Sequence, residues 1–174
     1  MRSDISPGGT FPDYELPDHT STPRKLSELQ GEDPLILTLA RGHYCPKEHQ
    51  QHLQLAAFYP QVAVAYTQMV TISTDDHHTL QEFRASVGAQ WTFLSDPERT
   101  IQRDLEIQEY TDPEHNPMIP HTLVLGGKEG KWRALRDASS RSTSGDRVRS
   151  SSTAARFGAP SGSLPSSVGL PPEA

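Results

Sequence analysis

Hydrophobic positions along the first 125 residues alternate between short apolar runs and stretches in which apolar side chains recur at helical spacing. The apolar runs predict strands that are buried in a sheet, at residues 35–40, 68–74, 91–94 and 119–125. The helical stretches predict helices at residues 46–59 and 77–87, and a shorter helix that is capped by residues 95–98. This alternation predicts an α/β fold with a parallel or mixed sheet and helices on both faces.

The ends of the predicted elements are marked by turn-forming residues. Residues 10–16 alternate before the turn at residues 17–20, which predicts an N-terminal hairpin. Pro60 predicts the end of the helix that begins at Pro46, because proline removes a helical hydrogen bond. Gly88 predicts the end of the next helix.

The sequence changes character after Leu125. Residues 126–174 contain eleven serines, few large apolar residues and no periodicity that would build a packed face. We therefore expect one domain at residues 1–125 and a disordered basic tail at residues 126–174.

Charge and composition exclude several classes of protein. The tail has eight Lys or Arg against four acids, so the net charge of −6 leaves the first 125 residues at −10. An acidic domain argues against nucleic-acid binding, and the longest apolar run is too short to span a membrane. A single cysteine excludes an intramolecular disulfide, and no signal peptide follows Met1, so we expect a cytoplasmic protein.

Cys45 is the most informative residue of the chain, because it stands between an apolar strand and a predicted helix. Pro46 suits the first helical position, which places Cys45 at the helix N-terminus. Backbone N–H groups at this end favour the thiolate, and Arg41, four residues earlier, can act as a further thiolate stabiliser. We predict a reactive nucleophile at Cys45. The alternative is a small, inert core cysteine.

Histidines near Cys45 suggest a second chemistry. His49 and His52 lie one turn apart on the predicted helix. Together with His43 and Cys45 they could supply ligands to zinc or copper. No second cysteine or standard ligand spacing supports this interpretation, so we predict solvated histidines, no metal and no cofactor.

Five short segments, in order, resemble one known family. They are Gly-Thr-Phe-Pro-Asp-Tyr-Glu-Leu at 9–16, Leu-Ser-Glu-Leu at 26–29, Arg-Gly-His-Tyr-Cys-Pro at 41–46, Ile-Ser-Thr-Asp at 72–75 and Phe-Leu-Ser-Asp-Pro at 93–97. Together they resemble the alkyl hydroperoxide reductase/thiol-specific antioxidant family, the peroxiredoxin-like branch of the thioredoxin-like superfamily. The resemblance implies a thioredoxin-like fold with an N-terminal hairpin extension and Cys45 as the peroxidatic cysteine.

The resemblance also implies a reaction and its partners. The cysteine of the family reduces a hydroperoxide and becomes a sulfenic acid, which a second thiol reduces. No second cysteine exists in this chain, so a one-cysteine mechanism needs an external thiol or a thioredoxin-type reductant. Pro120 matches a proline that thioredoxin-like folds place beside the active cysteine in the cis form, and a trans proline is the alternative. The oligomeric state is left open.

Three positions depart from the family pattern. Thr38 stands where the family has proline, and Gly42 stands where it has threonine. The segment around Pro120 has histidine where an arginine precedes the threonine. These departures leave a second function open, that of a catalytically impaired binding or scaffold protein.

The family continues past the strand at residues 119–125 with a partner strand and a C-terminal helix. Nothing after Gly126 has the pattern of either element. We therefore expect the last strand and helix to be missing, as in a truncated isoform whose tail comes from a frameshift or an alternative exon.

Overall fold

The computed structural model describes residues 1–126 and the strand residues 132–134 of the 174-residue chain. The described elements alternate between strands and helices. In chain order they are β1 (Glu15–Pro17), β2 (Pro23–Lys25), α1 (Leu26–Gln30), β3 (Leu35–Ala40), α2 (Pro46–Val64), β4 (Gln68–Ser73), α3 (His77–Ser86), β5 (Thr92–Ser95), α4 (Thr100–Asp104), β6 (His121–Leu125) and β7 (Trp132–Ala134).

A mixed five-stranded sheet forms the centre of the fold, in the order β5-β4-β3-β6-β7. Strand β3 pairs in parallel with β4 and antiparallel with β6, and β4 pairs in parallel with β5. The apolar run of β3 is explained by this central position, since both of its faces pack against other elements. The predicted α/β class is confirmed, and the sheet is mixed rather than parallel.

Each face of the sheet carries its own core, because strand side chains alternate between faces. Leu35, Leu37 and Leu39 of β3 pack with α1, α4 and the N-terminal segment. Ile36 faces the other way, into a cluster that contains side chains of α2 and α3. Helices therefore cover both faces of the sheet, as the sequence predicted.

The predicted N-terminal hairpin is present, and it also contacts the edge of the main sheet. Strands β1 and β2 pair antiparallel, and Asp18 at the start of their turn forms a bridge to Leu94 of β5. Burial raises the pKa of Asp18, but hydrogen bonds from Thr20, Thr22 and Arg24 outweigh it and lower the pKa to about 2. This turn holds the hairpin against the outer side of the edge strand β5, the side that does not pair with β4.

Helix α2 does not end before Pro60, so that prediction was wrong. The helix continues through Pro60 to Val64, although an internal proline costs about 3 kcal/mol. Val62, in the turn after the proline, is buried with Met69 and Leu80. Packing of this last turn offsets the local cost, and a pattern of single residues does not reveal such packing.

The expectation that no strand follows Leu125 was also wrong. Strand β7 pairs antiparallel with β6, with Trp132 opposite Leu125 and Ala134 opposite Leu123. Composition averaged over 49 residues hides a three-residue strand, whereas β6 offers unpaired backbone groups along its edge. The expected absence of a C-terminal helix and the expected disorder after β7 lie outside the described residues.

Candidate active site

The structure places Cys45 at the N-cap of α2 and Pro46 at its first helical position, as the sequence predicted. The backbone of Cys45 is extended, its N–H donates to the carbonyl of Gly42 at 3.3 Å, and its carbonyl accepts from the N–H of His49 at 3.1 Å. The residue is only 7% exposed. Cys45 therefore lies at the positively polarised start of the helix, with little access to bulk water, and its side chain makes no hydrogen bond to the N–H groups of the first turn.

The loop that carries Cys45 rests on the end of β4. The N–H of His43 donates to the carboxylate of Asp75 at 2.9 Å. The hydroxyl of Thr74 donates to the carbonyl of Arg41 at 3.2 Å. Gly42 lies against the same carboxylate, in a left-handed conformation with φ of 126°. Two consecutive residues after β4 thus hold the loop by its backbone.

Arg41 forms an ion pair with Glu109. Its Nη2 atom lies 2.8 Å from Oε2 of Glu109, and the two side chains are 32% and 17% exposed. The hydroxyl of Thr111 donates to the other carboxylate oxygen of Glu109 at 2.6 Å. The guanidinium of Arg41 is therefore held toward the loop that contains Glu109, and its effect on the Cys45 thiolate stays a prediction.

Tyr44, the residue before Cys45, makes a second contact with the loop that contains Glu109. The ring of Tyr44 stacks on His115, with ring centres 3.8 Å apart, and its hydroxyl donates to Asp112 at 3.1 Å. Burial first, and then the bond to Asp112, raises the pKa of Tyr44 above its ordinary value. A hydrogen bond from His115 lowers the pKa of Asp112. The loop that contains Glu109 and Asp112 is thus fixed to Arg41 and Tyr44, the first and last residues of the loop before Cys45.

Two positions that depart from the family pattern, Thr38 and His121, lie in the paired strands β3 and β6, one register position apart and so on opposite faces of the sheet. Thr38 pairs with Thr122, and Leu39 pairs with His121 at the start of β6. Pro120 immediately precedes β6, at the same end of the sheet as the loop after β3. The described residues contain no cis peptide bond, so Pro120 is trans and the second alternative is correct.

The histidines do not form a metal site with Cys45. The ring of His52 is fully buried, with Nδ1 2.8 Å from the carbonyl oxygen of Glu48 and Nε2 3.2 Å from the hydroxyl of Thr71. His43 and His49 both lie near Phe83. Within residues 1–126, no three side chains of His, Cys, Asp or Glu are grouped to share a metal ion. His52 is therefore a core residue rather than the solvated one that the sequence predicted.

Several residues that contact the loop before Cys45 were not predicted to act at the site. Asp75 was noted only as the last residue of the Ile-Ser-Thr-Asp segment, and Glu109, Asp112 and His115 lie in a stretch with no periodicity. The position of Asp75 could have indicated a role, because Asp75 follows a strand that neighbours the strand before Cys45, and the ends of neighbouring strands lie together at one edge of the sheet. The loop residues gave no such signal, since their contacts are set by tertiary structure.

The helices of the described part of the chain give no sign of a membrane span. None of them combines the length and the apolar character that crossing a bilayer requires.

Comparisons with solved structures show where this fold is found. The structure is similar to that of the peroxidoxin BcpB of Mycobacterium tuberculosis, with a TM-score of 0.64, 23% identity and coverage of 75% of this chain and 84% of that one. It is also similar to a mutant of PrxQ from Xylella fastidiosa, with a TM-score of 0.66, 16% identity and coverage of 76% and 87%. These likenesses confirm the peroxiredoxin type of thioredoxin-like fold.

Sequence comparison gives the family. Two provisionally named peroxiredoxins of Mycobacterium tuberculosis, from strains CDC 1551 / Oshkosh and H37Rv, are each 34% identical over 97 residues, which is 54% of this chain. The matched segment spans 61% of the length of these relatives. The model of the AhpC/TSA family matches residues 7–133, from the N-terminal segment into β7. The chain therefore belongs to the AhpC/TSA family.

Proposed function

We propose that this chain reduces hydroperoxides through Cys45 by a one-cysteine mechanism, with an external thiol as the reductant. The observation that carries the proposal is the placement of the single cysteine at the N-cap of α2 in a chain of this family. The names of its relatives, which are peroxiredoxins, support the same reaction.

The first step is a displacement at oxygen. The Cys45 thiolate attacks one oxygen of the hydroperoxide, an S–O bond forms and the O–O bond breaks. The leaving alkoxide or hydroxide takes up a proton and departs as an alcohol or water, and Cys45 is left as a sulfenic acid. The proposed step uses the position of Cys45 at the N-cap of α2, where the helix dipole is positive.

The second step consumes two external thiols. The first attacks the sulfur of the sulfenic acid, water leaves, and a mixed disulfide with Cys45 forms. The second thiol attacks that disulfide, which releases a free disulfide and restores the Cys45 thiol. Glutathione or a thioredoxin-type protein has the required chemistry. A cytoplasmic location is part of the proposal, because such thiols are kept reduced there.

Stopped-flow measurement of peroxide consumption tests the proposal. Hydrogen peroxide and cumene hydroperoxide are mixed with the reduced wild-type chain or with Cys45→Ser, with and without glutathione or thioredoxin. Without thiol, we expect wild type to consume one equivalent and to gain a sulfenic acid that a 1,3-dicarbonyl probe traps. With thiol, we expect repeated turnover. Consumption by Cys45→Ser at the wild-type rate, or no consumption by wild type, would contradict the proposal.

A thioredoxin-like binding or scaffold protein with impaired catalysis is the second candidate. Its support is the burial of Cys45 together with glycine at position 42, where the family resemblance implies a threonine. The pH dependence of Cys45 alkylation separates the two functions. A reactive thiol that appears only near about pH 8.5, the ordinary range for cysteine, supports the scaffold function, and reactivity at a clearly lower pH supports the peroxidase.

A further inference from the structure

The carboxylate of Asp75 is the centre of a compact set of contacts beneath the Cys45 loop. Its Oδ2 atom accepts from the backbone N–H of His43 at 2.9 Å and from the hydroxyl of Ser73 at 2.7 Å. The carbonyl of Asp75 accepts from the hydroxyl of Ser95 at 2.6 Å. Asp75 is thus fixed to the ends of β4 and β5 and presents its carboxylate to the loop.

Gly42 fits against this carboxylate only because it has no side chain. A Cβ atom at position 42 would lie 2.7 Å from Oδ1 and 3.0 Å from Oδ2 of Asp75, closer than van der Waals contact allows. The φ of 126° is also one that other residues rarely adopt. Glycine at position 42 and aspartate at position 75 therefore form a matched pair.

The same loop places Cys45 at the start of α2. The carbonyl of Gly42 accepts from the N–H of Cys45, so the backbone next to the Asp75 contact also fixes the cysteine. The hydroxyl of Thr74 holds the carbonyl of Arg41, one residue before Gly42. A shift of this loop would therefore move the sulfur relative to the N-terminal N–H groups of the helix.

We infer that Asp75 is a positioning residue for Cys45, which holds residues 41–44 by its bond to the N–H of His43 and its close contact with Gly42. Its function in peroxide reduction rests on the proposed function of Cys45. Asp75 acts through the backbone of the loop, and its charge is not the feature that sets the reactivity of the thiol.

The test compares Asp75→Ala and Asp75→Asn with wild type. Second-order rates of the reaction of Cys45 with iodoacetamide and with hydrogen peroxide are measured from pH 5 to 10. This range separates the limiting rate at high pH from the pH at which the rate is half of that limit. Asp75→Ala is expected to lower the limiting rate about tenfold, as expected for the loss of one hydrogen bond to a charged group. Asp75→Asn keeps an oxygen that can accept from His43, and should stay within about threefold of wild type. Both variants remove the same charge, so equal limiting rates in the two would overturn the inference.

Asp76→Ala is the matched control. Asp76 is the N-cap of α3 and accepts from the N–H of Thr79 at 2.9 Å. This substitution removes a neighbouring carboxylate and a helix cap, so it lowers stability without touching the Cys45 loop. The limiting rate of Asp76→Ala should equal that of wild type. A fall as large as that of Asp75→Ala would show that the effect of Asp75 comes from lowered stability, and it would overturn the inference.

A double-mutant cycle tests the contact with Gly42 separately. Gly42→Ala should slow alkylation, and it should slow it less in the Asp75→Ala background, where the clash with the carboxylate is absent. The strain from φ is the same in both backgrounds and cancels. If Gly42→Ala slows alkylation by the same factor in both backgrounds, the inference is overturned. If Asp75→Ala fails to fold, Gly42→Ala in the wild-type background tests the contact alone, because its Cβ would meet the Asp75 carboxylate. An unchanged alkylation rate in Gly42→Ala would then overturn the inference.

Failure of this inference can be told apart from failure of the proposed function. Alkylation by iodoacetamide needs an accessible thiolate but no peroxidase chemistry. A wild-type chain that alkylates and depends on Asp75, but consumes no peroxide, would refute the peroxidase and leave the positioning intact. If Asp75→Ala consumes peroxide as fast as wild type, the positioning role of Asp75 is refuted and the peroxidase function stands.

Discussion

The buried histidine His52 should make the stability of this fold depend on pH. Its Nδ1 contacts the carbonyl oxygen of Glu48 at 2.8 Å and its Nε2 contacts the hydroxyl of Thr71 at 3.2 Å, while Trp91 donates to that hydroxyl at 3.0 Å. A carbonyl can only accept, so the neutral ring carries its proton on Nδ1 and accepts from Thr71 at Nε2. A second ring proton would turn this hydroxyl away and place a charge among aromatic rings.

Burial, the largest cause, lowers the pKa of His52 below its ordinary value of 6.5. At higher pH the ring is neutral in both the folded and the unfolded chain, and its contribution to stability is fully present. As the pH falls below about 6.5, the unfolded chain takes up a proton that the folded chain does not bind. The free energy of unfolding should therefore decrease by up to about 1.4 kcal/mol per pH unit, until the pKa of the folded state is reached.

Urea unfolding followed by circular dichroism between pH 7.5 and 5.0 measures this dependence. His52→Leu should show a slope that is smaller by about 1 kcal/mol per pH unit, because one linked proton has been removed. Leu80→Ala, which removes a buried side chain of α3 but no titrating group, is the control and should keep the wild-type slope. Equal slopes for wild type and His52→Leu would refute the argument, whatever the absolute stability of the variant.

Three further substitutions have defined outcomes. Arg41→Ala should slow sulfenic acid formation at Cys45 by about threefold to tenfold near neutral pH in stopped-flow, as expected for a partly exposed charge, and an unchanged rate would assign the guanidinium to Glu109 alone. Asp18→Asn should cost roughly 2 kcal/mol in urea unfolding at pH 7, because the lowered pKa stabilises the fold above about pH 3.8. This difference should vanish as the pH falls toward 2, and a difference that persists there would contradict the linkage. Phe83→Ala should cost about 3 to 5 kcal/mol in the same assay, since the ring is fully buried against other rings, and a loss under 1 kcal/mol would contradict the packing.

Much of the fold could be predicted because its signals are local. The apolar run of β3 and the strand-helix alternation gave the sheet and the order of its elements. The placement of Cys45 before Pro46 gave the N-cap of α2, since proline at the first helical position has its own steric cause. The short segments that resemble the family needed no knowledge of long-range contacts.

Other predictions failed where distant residues outweigh local preference. Pro60 does not end α2, because burial of Val62 stabilises the turn that follows. Strand β7 forms because β6 offers a partner, although the composition around it suggests no strand. His52 was expected in solvent, and it is instead held in the core by Thr71.

The sequence by itself determined the class of fold, the family and the position of Cys45 at the start of a helix, because apolar periodicity and proline chemistry act over a few residues. Only the tertiary structure decided what surrounds the thiol. It joined Gly42 to Asp75 and Arg41 to Glu109. These partners lie 33 and 68 positions apart in the chain, and a pattern along the sequence carries no information about contacts that the packing of the strands creates.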